Sequence, residues 1–114
     1  MSGEGGASGR DSAQVEVREL RQYFRALSGT LRLRLVRELA MQGEMSVSQL
    51  VAALRVSQPL VSWHLSSLKR VGLVRIRRTG RQVYCSLDRA QFQSYQDLLA
   101  AFLGETLESE ATSK

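Results

Sequence analysis

The stretch that decides the fold is Ser57–Val74, SQPLVSWHLSSLKRVGLV. Ser57 is a helix N-cap residue, and Pro59 falls in the first turn, where a fixed φ and a missing N–H cost little. Val56 and Val61 stand at the two positions of a hydrophobic staple. On a helix advancing about 100° per residue, Leu65, Leu68, Gly72 and His64 fall within about 60° of Val61, whereas Pro59, Trp63, Ser66 and Arg70 fall within about 40° of the opposite side. Ser62 and Lys69 flank that outer side. It therefore carries small hydroxyls, the Gln58 amide, a basic end and one large aromatic, where a helix needing only solubility would carry Glu and Lys.

Upstream, Ser46 and Gln49 match a capping box that opens a short helix with Leu50, Ala53 and Leu54 facing inward, and Arg55-Val56 links it tightly to Ser57. Before it, about residues 30–42 form a helix with Leu31, Leu35 and Leu39 on one side and Leu33, Val36 and Ala40 on another, stopped by Gly43. Apolar residues on two sides predict a central helix covered from two sides. Val17, Leu20, Phe24 and Leu27 recur at +3, +4 and +3 on a first helix ending near Ser28-Gly29. Residues 1–14 are Gly- and Ser-rich with almost nothing apolar, so disorder is expected there.

Downstream, the period changes from 3.6 to 2: Val74 and Ile76 alternate with Arg75 and Arg77, and Val83, Cys85 and Leu87 with Tyr84 and Ser86. A tight turn at Thr79-Gly80 puts Ile76 opposite Val83 and Val74 opposite Cys85, all facing inward, with Arg75, Arg77, Arg78 and Arg81 outward or at the tip. Asp88 and Gln91 suggest another capping box, Leu87 and Phe92 another staple. A last helix follows, with Phe92, Tyr95, Leu99 and Phe102 in one stripe and Leu98, Leu103 and Leu107 widening it. The order is α-α-α-α-β-β-α, mainly α with a β-hairpin. A capped helix, a short turn, a second capped helix and a basic hairpin make the arrangement of a winged helix-turn-helix, with helix 57–71 presented to a partner and 73–87 as the wing.

The 114 residues hold 16 Lys or Arg against 11 Asp or Glu, one His and one Cys, which suits one domain, residues 15–107, followed by an acidic tail, 108–114. The charge is segregated. Residues 1–30 are neutral, residues 31–87 hold ten basic against two acidic side chains, and residues 88–114 hold two basic against five acidic. From Arg55 to Cys85 there is no acidic residue at all. An Arg-rich composition alone would not segregate charge in this way, and a polyanion partner, double-stranded DNA, accounts for it. A lone Cys forms no internal disulfide and suits a reducing interior; with no export-signal pattern and no membrane-length apolar run, a cytoplasmic chain without membrane contact is expected. Enzyme chemistry finds no support: Ser62, Ser66 and Ser67 share one helix with no acid to orient His64, and no glycine-rich phosphate loop is present.

The runs FRALSGTLRLRLVRELA, SVSQLVAAL, SQPLVSWHLSSLKRVGLV and GRQVYCSLD, in order within about residues 19–103, closely resemble the ArsR/SmtB family of bacterial winged-helix repressors. The resemblance implies a homodimer joined through the first and last helices (Val17, Leu20, Phe24, Tyr95, Leu99, Phe102), bound to an imperfect palindrome and released by an inducer. It places Ser57, Gln58, Ser62 and Trp63 at the DNA-reading positions and Arg77, Arg78 and Arg81 on the wing; Ser66 and Arg70 join them from the outer side of the helix. The departures count as much. Where the arsenic-sensing branch has Cys-Val-Cys, this chain has Ser46-Val47-Ser48, and where the zinc branch has Asp-x-His, Asp88 is followed by Arg89-Ala90. Hydroxyls ligate soft metals poorly, so no metal or other cofactor is expected.

The expected function is a sequence-specific transcriptional repressor; the alternatives are a winged-helix protein-interaction module and a thiol-responsive repressor using Cys85. Inward-facing Cys85 reads better as a small hydrophobe than as a switch. His64, at the edge of the core face, reads as a packed, hydrogen-bonded imidazole. Trp63 is the reverse case: an outward indole calls for DNA or for packing beneath the wing.

Overall fold

The computed structural model describes residues 2–104, with side chains from residue 13 on. The elements run α1 (Ser2–Leu27), α2 (Thr30–Gln42), β1 (Met45–Ser46), α3 (Val47–Leu54), α4 (Gln58–Arg70), β2 (Val74–Thr79), β3 (Gln82–Leu87) and α5 (Arg89–Phe102). The helical order and the hairpin follow the periodicities. The acidic tail at 108–114 and Leu107 lie outside the described residues.

Three features go beyond the expectations. α1 extends from Ser2 to Leu27. Its packed turns lie between Leu20 and Ala26. The hairpin register is the second. Val74 pairs with Leu87, Ile76 with Cys85 and Thr79 with Gln82, so the turn is Gly80-Arg81 rather than Thr79-Gly80. Gly80, at φ +59°, supplies the left-handed residue such a turn needs. The shift is by two residues, so Val74, Ile76, Cys85 and Leu87 keep the expected face. Arg78, however, pairs with Val83 on that same face, while Arg75 and Arg77 lie on the other. Third, β1 adds a strand that two residues of sequence do not announce. It pairs Met45 with Cys85 and Ser46 with Tyr84, making β3 the middle of a three-stranded antiparallel sheet and tying the wing to the start of α3.

Ser46 carries two tasks, for it also caps α3: its hydroxyl accepts from the Gln49 N–H at 3.1 Å while its own N–H donates to Gln49 Oε1 at 2.8 Å. Only half of the second box forms. Asp88 accepts from the Gln91 N–H at 3.0 Å, but the Asp88 N–H is taken by the Leu73 carbonyl and the Gln91 amide donates to Val71 O at 3.2 Å.

The core gathers Leu35 and Leu39 of α2, Leu50 and Leu54 of α3, Val61, Leu65 and Leu68 of α4, and Leu73, Val74 and Cys85 from the hairpin. α2 is central as expected, except that Leu33 stays exposed. α1 and α5 pack together, with Tyr23 stacked on Tyr95 at 4.6 Å. Of the residues expected to form a dimer stripe, Leu20 and Tyr95 are buried within this chain, Leu99 is half-buried, and Val17, Phe24 and Phe102 remain outside at 43%, 50% and 46% exposure.

Gly72 closes the link from α4 to the wing at φ +80°, and a Cβ there would sit 3.1 Å from Gln91 Nε2, the donor that holds Val71 O. Gly72→Ala should lower stability by about 1–2 kcal/mol through the left-handed backbone alone, and further through the displaced amide. Urea unfolding of the two chains checks this; equal midpoints would show that the link tolerates a side chain.

Candidate nucleic-acid interface

α4 is held by Val61, Leu65 and Leu68, so the side chains between them face solvent. Ser57 caps it without a side-chain hydrogen bond, and Pro59 in the first turn brings no N–H of its own. Ser57, Gln58 and Ser66 are exposed and Ser62 is half-buried. Gln58, Ser62 and Ser66 line one wall of a crevice of about 250 Å³ whose other wall is the wing, with Arg78, Arg81 and Gln82. Five of the nine expected residues therefore meet in one place.

The wing arginines divide by sheet face. Arg77, on the face away from α4, donates from Nε and Nη2 to the two Glu44 carboxylate oxygens at 3.1 and 2.8 Å, and from Nη1 to Thr79 Oγ1 at 2.7 Å. Its guanidinium lies 4.6 Å from the centre of the Tyr84 ring. Arg75 donates to Asp88 at 3.0 Å on the same face. The hydrogen bond from Arg77 holds the Glu44 carboxyl below the usual range, and the Gln91 N–H, with Arg75 behind it, does the same for Asp88. A segment free of acids along the chain is thus not free of them in space: Glu44 and Asp88 fold against it from either side. Arg78 and Arg81 have no carboxylate partner among the described residues.

Trp63 does not pack beneath the wing. One residue is a turn of about 100° on a helix, and it carries Trp63 to the other flank of α4, where it is 61% exposed. There it meets His64 edge-on at 5.0 Å, and the Arg32 guanidinium of α2 lies 5.4 Å from its ring. Arg70 is exposed on this flank and, with Trp63 and Arg32, borders a second crevice there. Arg32 is the residue that sequence reasoning missed: Nε donates to His64 Nδ1 and Nη2 to Ser67 Oγ, both at 3.0 Å, and Nη1 reaches the carbonyls of Arg25 and Ala26 at 3.4 Å. Thirty-two residues separate Arg32 from His64, and no periodicity signals such a pairing.

Cys85 is fully buried, and burial pushes its thiol up to about 11, so it stays protonated at neutral pH. Asp88, the one acid shared with the zinc branch, is occupied in capping α5 and pairing Arg75.

Partial burial, with Arg32 beside it, lowers the pKa of His64, the only histidine, and protonation at Nδ1 would remove the acceptor that Arg32 Nε uses. A His whose folded pKa lies below its unfolded value contributes stability in full above about pH 6.5 and loses it as pH falls toward the folded value. The contributions of Glu44 and Asp88 fade only below about pH 5. Urea midpoints should therefore drop between about pH 7 and 5 in the parent and less in His64→Gln; parallel curves would contradict the assignment.

Comparison with known proteins comes to one family. The model described as "Bacterial regulatory protein, arsR family" matches residues 30–75. The transcriptional repressor SmtB homolog of Synechocystis is 43% identical over 72 residues, 63% of this chain and 54% of that protein. The uncharacterized HTH-type transcriptional regulator YceK of Bacillus subtilis is 36% identical over 87 residues, 75% of this chain and 83% of that one. Among solved structures, a homodimeric winged helix-turn-helix DNA-binding domain from Mycobacterium bovis, a possible ArsR-family regulator, aligns with a TM-score of 0.62 at 27% identity, covering 80% of this chain and 83% of that one. The chain spans about half the length of several curated relatives that it matches. It belongs to the bacterial arsR family, a family of DNA-binding transcriptional regulators rather than enzymes.

Proposed function

We propose that this chain is a sequence-specific transcriptional repressor that works in the cytoplasm as a homodimer on a palindromic operator. The observation that carries the reading is the exposed ridge of α4, hydroxyls and an amide, set beside Arg78 and Arg81 of the wing, which have no carboxylate partner among the described residues. A major groove about 12 Å wide admits such a helix, and Gln58 has the bidentate amide that adenine edges accept. In this reading Ser57, Gln58, Ser62 and Ser66 face bases and sugars, and Arg78 and Arg81 face phosphates. Arg70 and Trp63 work from the opposite flank. Arg77, tied to Glu44, contributes mainly by holding the wing in place. The exposed Val17, Phe24 and Phe102 supply the apolar surface for a second copy, and two-fold symmetry then sets half-sites about 34 Å apart or a multiple of that. The M. bovis domain, a homodimer, supports this arrangement.

Duplex affinity measured between about 50 and 200 mM salt should fall on the order of a hundredfold or more. Gln58→Ala should relax preference at one base position, whereas Arg78→Ala should weaken all duplexes alike, and more than Arg77→Ala does. A flat salt response, with retention on immobilised protein partners instead, would favour an interaction module.

A further inference from the structure

Two crevices flank α4, and of the second the proposed reading uses only Trp63 and Arg70. The second, about 410 Å³, lies between α4 and the start of the molecule; its polar lining is Gln22 and Arg25 of α1, Arg32 of α2, and Ser67 and Arg70 of α4, with the Trp63 indole as one wall. No carboxylate among the described residues borders it. Three guanidiniums from three helices converge there, and Arg25 and Arg70 have no carboxylate partner among the described residues. Arg32 spends its donors on His64, Ser67 and the carbonyls that end α1, so it contributes charge and a fixed wall. The Ser67 hydroxyl accepts from Arg32 and donates to the Trp63 carbonyl at 3.4 Å, so Arg25, Arg70 and Gln22 are left as the groups that can meet a ligand.

The placement of the two crevices around α4 identifies that ligand. At about 100° per residue, the row Gln58, Ser62 and Ser66 and the row Trp63, Ser67 and Arg70 lie roughly 110° apart, and the direction opposite Val61, Leu65 and Leu68 falls between them. A helix seated in a groove with its ridge inward has one phosphate backbone on each side. We infer that the crevice formed by α1, α2 and the second half of α4 binds the phosphodiester backbone of the DNA strand across the groove from the wing. Its arginines meet phosphate oxygens there, and the Trp63 indole lies against the adjoining sugar. The inference rests on the DNA-binding reading and adds α1 to it, including Gln22 and Arg25, which precede the residues that the family model matches.

The test is a salt titration of a fluorescein-labelled mixed-sequence duplex with the parent chain, Arg25→Ala, Arg78→Ala and Arg37→Ala, the last an exposed arginine outside both crevices. Helix content by circular dichroism confirms that each variant folds. Arg25→Ala should reduce the slope of log K against log salt by about one unit and weaken every duplex to the same degree, as Arg78→Ala does, while Arg37→Ala keeps the parent slope. Trp63, the only tryptophan, should change its emission on duplex addition. A parent-like slope and affinity in Arg25→Ala, with a reduced slope in Arg78→Ala, overturns the second crevice and leaves the DNA reading standing. A flat slope in the parent chain overturns both.

Discussion

Val61, Leu65 and Leu68 are sealed inside the body, and their burial fixes the roll of α4 about its own axis. Each such side chain is worth about 1.5–3 kcal/mol when taken from water. Rolling the helix by one residue would expose them and press hydroxyls into a core with no partners for them, at about 1–3 kcal/mol apiece. Which atoms the protein shows to a partner follows from that choice. Gln58, Ser62 and Ser66 go to the wing side, Trp63, Ser67 and Arg70 to the side of α1, and the ridge between them faces out.

The hairpin extends the same logic to charge. Because side chains alternate across a strand, the pairing of Arg78 with Val83 puts Arg78 on the face shared with Ile76 and Cys85, beside α4. Arg75 and Arg77, one residue to either side of Ile76, go to the back, where Asp88 and Glu44 neutralise them. The wing is thus asymmetric: ion-paired on its back, cationic toward α4. β1 holds it there, since Ser46 both pairs with Tyr84 of β3 and caps α3.

Most of the helices and inner faces were legible because each depends on neighbours within four residues: the Ser46–Gln49 box, the stop at Gly43 and the α4 stripe all lie as the spacing dictates, whereas Ala53, expected inward, is exposed and the Asp88–Gln91 box forms only by half. The hairpin faces were legible too, and the register was not, since a two-residue shift leaves the alternation intact and only the conformation of Gly80 decides it. Contacts between distant residues were hidden. The pairing of Glu44 with Arg77 and the four contacts of Arg32 join residues six to 35 positions apart, and linear charge counting misled there, for the acid-free run acquires Glu44 as a neighbour.

The most direct measurement is site-directed photocrosslinking. Cys85 is buried, so a cysteine placed at an exposed position takes up a photoreactive label selectively. A label at Ser66→Cys, on the ridge of α4, should crosslink to bases from the major-groove side of a bound duplex, while one at Ser94→Cys, exposed on α5, should leave the duplex unmodified. Crosslinking from position 94 with none from position 66 would contradict the account.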